Sequence, residues 1–232
     1  QEHTRLPILG GLIRSRTLDT ITLSGAAPPV DTLWQASIIT SCGGTAPCRV
    51  ARRDEAAPQT EGADIHDQDA MTETAYVYHP IYLEHNRPAH PENARRLERI
   101  LDTLDDEGML DRLRLLDPRR ATQEELLRVH DVQHIARVRE VAQRGGGNLD
   151  PDTYVSPRSY EAALMAAGGV VHAVEGVLNE DIGNAFALVR PPGHHATAGR
   201  AMGFCLFNNV AVAAREALAR EEVERVFVAD FD

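Results

Sequence analysis

Residues 71–232 carry two rhythms of apolar and polar positions, and residues 1–70 sustain neither. The first short apolar run, Ala75 to Tyr78, predicts a strand, and His79 to His90 follows as a loop. Pro91 suits the first turn of a helix, and Leu97, Ile100, Leu101 and Leu104 form its apolar stripe as far as Gly108. Thr122-Gln123-Glu124-Glu125 is a capping-box signal for a short helix. Val132, Ile135, Val138 and Val141 recur at helical spacing and stop at Gly145-Gly146-Gly147. That glycine run follows a helix rather than a strand and precedes no lysine, so a flexible turn is expected there, not a phosphate loop. Asn148 to Ser156 reads as a polar loop, and an alanine-rich helix then runs from Pro157 and Ser159 to Leu178. Gly168 and Gly169 inside it predict close packing against a neighbour.

The last part of the pattern is strand, helix, strand. Asn184 to Val189 predicts a buried strand, Val210 to Arg220 a helix capped by Asn208 or Asn209, and Arg225 to Asp230 a second strand. With no room for a hairpin, this is expected to be a right-handed crossover between parallel strands. Ligands of such sheets bind beyond the carboxyl ends of the strands, which is where His194, His195, Asp230 and Asp232 fall.

Composition narrows the classes. A net charge of -11 disfavours direct nucleic-acid binding through phosphate neutralisation. All 24 basic residues are arginine, read as a base-composition bias. Apolar residues make up 43% and aromatics 5%, so the core is expected to be built of Ala, Val and Leu. Three cysteines do not make a disulfide framework; Cys42 and Cys48 lack zinc-knuckle spacing, and Cys205 lies in an apolar segment that predicts burial. No run reads as long enough to span a membrane and no secretory signal is evident, so a cytoplasmic location is expected. Residues 1–70, which open on Gln1 and include the polar, acidic run Asp54 to Ala70, are expected to be a disordered leader or an over-extended reading frame, with a regulatory extension as the rival.

The candidate chemistry lies at the strand ends. Asp230 and Asp232 point to one side of their strand because side chains alternate, so one can bind a metal while the other orients a neighbour. A solvated strand end is the plainer reading of an isolated Asp-x-Asp. Adjacent histidines cannot easily face one metal, which suits His194 and His195 to proton transfer. A carboxylate partner would fix the tautomer of one of them.

Together these strings resemble the histone deacetylase family, class II and bacterial or archaeal amidohydrolase type. The resemblance rests on Arg190-Pro191-Pro192-Gly193-His194-His195-Ala196, on Gly203-Phe204-Cys205-Leu206-Phe207-Asn208-Asn209-Val210-Ala211 and on Val226-Phe227-Val228-Ala229-Asp230-Phe231-Asp232, with His90-Pro91-Glu92 and Asp152 to Pro157 extending it. It covers most of 71–232 and none of 1–70. It implies an α/β arginase/deacetylase fold, a parallel sheet with helices on both faces, and a zinc-dependent deacetylase acting on acetyl-lysine or a small acetylated amine. It implies Asp232 as a zinc ligand. Asp230 would be the carboxylate that bonds the first histidine and adjoins a monovalent-cation (K+) site. His194 would orient and stabilise, and His195 would be the general base and acid. Gly203 and Phe204 would form the channel wall, Asp152 would hold substrate at the rim, and Arg96 would line the inner channel.

The same resemblance places a histidine zinc ligand two residues after Asp232, and a further aspartate ligand and an oxyanion-assisting tyrosine later still. The 232-residue chain is therefore expected to be an inactive fragment with an incomplete sheet. Two rivals stay open: an arginase-like two-manganese hydrolase, which the Pro-Pro-Gly-His-His and Gly-Phe-Cys strings do not fit, and a pseudoenzyme that binds acetylated ligands.

Overall fold

The computed structural model describes residues 37–41 and 73–230. Its centre is a three-stranded parallel sheet in the order β3–β2–β6, built from β2 (Thr74–Val77), β3 (Arg114–Leu116) and β6 (Asn184–Ala187). Side-chain alternation gives this sheet two apolar faces. Ala75 and Val77 of β2 pack with Leu116, Ala173 and Ile182 on one face. Tyr76, Tyr78 and Phe186 pack on the other with Leu97, Ile100, Leu101 and Leu104. The first face is covered by α5 (Ser159–Leu178) and the second by α2 (Ala94–Asp106), so helices lie on both faces. Burying a side chain such as Val77, fully enclosed here, contributes about 1.5–3 kcal/mol.

Local sequence sets most of the boundaries. α2 begins after Asn93, whose side chain accepts from the Arg95 N–H, rather than at Pro91. The capping box is present: Thr122 and Glu125 satisfy each other's backbone N–H at the start of α3 (Gln123–Leu127). α4 (Val132–Gln143) buries Ile135, Val138 and Val141. α6 (Asn209–Ala217) is capped by Asn208, which accepts from the Ala211 N–H. The loop expected over His79 to His90 holds a short helix, α1 (Ile81–Glu84), whose Tyr82 hydroxyl donates to the Met165 carbonyl at 3.1 Å. The polar loop Asn148 to Ser156 contributes β5 (Tyr154–Val155), which pairs antiparallel with β4 (Gly147–Asn148). The glycine turn is pinned rather than loose: Gly146 has φ 102°, and a Cβ there would lie 2.6 Å from the Val155 carbonyl.

Three expectations need correction. β7 (Val226–Asp230) does not pair with β6; it pairs antiparallel with β1 (Ser37–Ser41), in the register Ser37 to Asp230. A crossover makes its strands parallel only if they share a sheet, and consecutive strands are neighbours in only about two-thirds of cases. β7 also exposes Phe227 (60%) and Val228 (42%), apolar surface of the kind that promotes association. The β6 side chains are half-buried, not fully buried. Finally, the 20 residues of α5 do have the length and apolarity of a membrane span, yet 61% of that window is buried inside the fold. The leader 1–70 lies outside the described residues apart from Ser37–Ser41, as do Cys42 and Cys48.

The two inner glycines of α5 bring the helix into close contact with its neighbours, Gly168 against backbone and Gly169 against the side chains of Val77, Tyr82 and Pro118. A Cβ on Gly168 would sit 2.1 Å from the Arg119 carbonyl and 2.4 Å from the Ala121 nitrogen. Gly176 meets only the Ile182 side chain, at 3.1 Å and beyond. Gly168→Ala is therefore expected to destabilise the fold by about 1–3 kcal/mol through overpacking. Gly176→Ala is expected to be neutral or slightly stabilising, because alanine gains about 1 kcal/mol of helix propensity. Urea denaturation of both variants checks this, and equal midpoints would contradict it.

Candidate active site

Arg190 to His195 leaves the end of β6 as a rigid turn fixed from below. A Cβ on Gly193 would lie 2.5 Å from the Asn209 nitrogen and 2.6 Å from the Phe207 carbonyl, so only glycine lets the turn rest on the start of α6. Asn209 donates to the Pro191 carbonyl at 3.1 Å, and Asn208 donates to the carbonyls of His194 and Ala196. The consecutive asparagines thus cap α6 and hold the histidine loop.

His194 Nδ1 lies 2.8 Å from Asp230 Oδ2, joining the loop after β6 to the end of β7. A carboxylate oxygen only accepts, so Nδ1 carries the proton and the tautomer is set. His195 is exposed, with its ring 4.0 Å from that of His194. Gly203, at φ 56°, lies against His195: a Cβ there would be 2.5 Å from its Cδ2. The next residue, Phe204, is left-handed as well, at φ 68°.

A second group adjoins this pair. The Phe204 N–H donates to Thr153 Oγ1 at 3.1 Å, and the Thr153 hydroxyl donates to Asp152 Oδ1 at 3.0 Å. The expected rim carboxylate and the expected channel wall are therefore linked through one hydroxyl. Asp150 receives the Asp152 N–H at 3.1 Å, and this bond is the main cause holding its carboxyl below the usual range. The rim is not purely acidic, since Arg200 approaches Asp150 at 3.5 Å.

Arg96 lies on the first turn of α2, half-exposed and paired with Glu92. Glu92 also takes the Arg190 Nε–H at 2.5 Å, and both members of this second pair are buried. Arg190 further donates to the Tyr82 carbonyl at 3.0 Å. The structure thus unites His194, His195, Gly203 and Asp230, and links Phe204 to Asp152. Glu92 connects Arg96 to Arg190 at the start of the histidine turn. Asp232 lies outside the described residues.

Glu92, Arg190, Thr153 and Tyr154 are structural partners that the sequence pattern did not single out. Arg190 had a readable signal: a lone charge between a buried strand and Pro-Pro demands a buried partner. Thr153 had none.

Buried histidines support the loop from behind. The Asn208 N–H donates to His130 Nε2 at 2.9 Å, so the His130 proton sits on Nδ1, 2.9 Å from the Thr197 carbonyl. His134 Nε2 lies 2.9 Å from the Leu206 carbonyl. Burial pushes both imidazoles below the ordinary histidine value, and the neighbouring His134 adds to the effect on His130. Burial lowers His85 further, assisted by Arg190. A depressed folded-state value means that the unfolded chain takes up protons first as pH falls below about 6.5. Stability is then expected to be full above that pH and to decline as pH drops through it. Thermal melts at pH 7.5, 6.5 and 5.5 check the sign, and a midpoint that holds or rises towards pH 5.5 would contradict it.

Glu125, Glu175 and Glu216 also converge, with ligand atoms within 4.8 Å of one another. They are paired with Arg119 and Arg128, which accounts for the cluster without a metal.

Residues 90–232 match the histone deacetylase domain. The chain belongs to that family. A histone deacetylase-like amidohydrolase of Pseudomonas aeruginosa is 44% identical over 142 residues, covering 61% of this chain and 37% of the relative. A probable deacetylase of Archaeoglobus fulgidus is 40% identical over 162 residues, covering 68% and 45%. The crystal structure of the HDA15 HD domain superposes with a TM-score of 0.63 at 38% identity, covering 65% of this chain and 44% of that one. This chain thus spans less than half the length of these relatives, and its parallel sheet with helices on both faces is the arginase/deacetylase fold.

Proposed function

We propose that this segment supplies the proton-transfer and substrate-rim half of a zinc-dependent deacetylase that hydrolyses the acetyl amide of acetyl-lysine or a small acetylated amine. The observation that carries the reading is the Asp230–His194 bond with His195 beside it on the Gly203 wall. Carboxylate and imidazole are donor types that zinc accepts, and the strand end that carries Asp230 fits such a group. Asp232 would hold the zinc, and Asp230 would adjoin a potassium site. Bound zinc would polarise the acetyl carbonyl and stabilise the oxyanion.

The chain's own residues do the remaining work. Asp230 keeps the His194 proton on Nδ1 and so fixes the ring. A nitrogen of His195 takes a proton from the attacking water and returns it to the leaving amine, so that amide and water become acetate and free amine. Asp152 accepts from a substrate N–H at the rim, and Phe204 shields the alkyl chain of the substrate amine from water.

A catalytic zinc usually has three protein ligands, and the resemblance finds one on this chain. A polypeptide of these 232 residues is therefore expected to show no turnover. The protein that carries this segment within a complete domain is expected to deacetylate an acetyl-lysine peptide or an acetylated diamine, to lose that activity on chelation and to regain it with zinc. Chelator-insensitive hydrolysis would sink the zinc reading. Measurable deacetylation by the 232-residue chain itself would overturn the claim that its ligand set is incomplete.

A further inference from the structure

We infer that His90 is a positioning residue for the substrate rim, its imidazole clasping the Asp152 loop to the Phe204 wall. The inference rests on the deacetylase reading for its kinetic consequence and on geometry alone for the clasp.

The hydrogen bonds fix how the ring is used. His90 Nε2 lies 3.0 Å from the Asp152 carbonyl, which only accepts, so Nε2 carries the proton. Nδ1 lies 3.1 Å from both the N–H and the carbonyl oxygen of Glu92, which holds the ring on the Glu92 turn. The ring cannot turn over without losing both bonds. Its faces and edges are also occupied. Phe204 packs edge-to-face at 4.7 Å, with planes 85° apart, and Tyr154 packs at 4.8 Å. Tyr154 is itself anchored, its hydroxyl lying 3.1 Å from the carbonyls of both His85 and Glu92.

His90 therefore holds three things at once: the backbone of Asp152, the ring of Phe204, and the Glu92 turn that carries Arg190. Thr153 ties the same two loops from the other side, bonding the Phe204 N–H and the Asp152 carboxylate. Between them these contacts set the distance from the rim acceptor to the channel wall. That spacing decides where a bound acyl-amine sits relative to His195, because Gly203 precedes Phe204 and lies against the His195 ring. A shift of the rim changes substrate engagement without removing any proton-transfer group.

Two measurements separate the clasp from the functional reading. The first is amide hydrogen exchange on the 232-residue chain. His90→Ala is expected to speed exchange at the Phe204 amide about tenfold while amides in α5 keep their rates. His90→Gln is expected to restore most of the protection, since its side-chain N–H can still donate to the Asp152 carbonyl. Unchanged exchange at Phe204 in His90→Ala, or equal loss of protection throughout α5, would overturn the clasp. The second is kinetics in the zinc-loaded protein with the complete domain. There His90→Ala is expected to raise KM for an acetyl-lysine peptide about tenfold with kcat within about threefold, again rescued by glutamine. A fall in kcat at constant KM would overturn the positioning role. Absence of deacetylation by the parent protein would refute the deacetylase reading and leave the exchange data to judge the clasp.

Discussion

Replacing Glu92 with alanine is expected to cost the fold about 3–5 kcal/mol, the range for removing one partner of a buried ion pair. Arg190 is only 4% exposed, and its Nε–H is bonded to Glu92 at 2.5 Å. Taking away the carboxylate leaves a guanidinium enclosed with one backbone carbonyl and the Tyr154 hydroxyl as partners. Glutamine at position 92 keeps one acceptor and the shape, so Glu92→Gln should lose less. A double replacement, Glu92→Met with Arg190→Met, removes both charges and should recover much of the loss, because hydrophobic pairs of similar volume often match buried ion pairs. Chemical denaturation of the three variants tests the set. A loss below about 1 kcal/mol in Glu92→Ala, the scale of an exposed pair, would show that the pair is solvated in solution.

The same pair explains what the sequence could and could not disclose. Elements with a strong local signal were legible. The Thr122–Glu125 box, the stripe of α4 and the alanine-rich α5 each follow from interactions within a few residues. The close approach at Gly168 and Gly169 was legible for a related reason: paired glycines inside a helix serve no local purpose. Long-range partners were not legible. Nothing in the pattern joins Glu92 to Arg190 across 98 positions. Nothing announces that the Thr153 hydroxyl bridges Asp152 and Phe204, since threonine there reads as an ordinary loop residue. The pairing of β7 with Ser37–Ser41 was hidden too, because that strand has no flanking period to mark it. Within the site, the order of the motifs along the chain named His194, His195 and Asp230, and the geometry added which nitrogen of His194 carries its proton.

That added detail bears on the division of labour between the two histidines. In the active protein carrying this segment, His195→Ala is expected to lower kcat about a hundred- to ten-thousandfold, the contribution of a positioned general base and acid. KM should change much less than kcat, because the group removed moves protons in the chemical step. His194→Ala should cost less. Its Nδ1–H is committed to Asp230, so it acts by orientation and by electrostatics rather than by exchanging that proton. Asp230→Asn should resemble His194→Ala, because the amide can present a donor to Nδ1 and favour the wrong tautomer. Gly203→Ala supplies an independent check on the placement of His195. A methyl there would meet the ring at 2.5 Å on a backbone of φ 56°, so the variant should lose kcat although it retains both histidines. If His194→Ala proves more damaging than His195→Ala, the roles are reversed and the carboxylate-paired ring is the base.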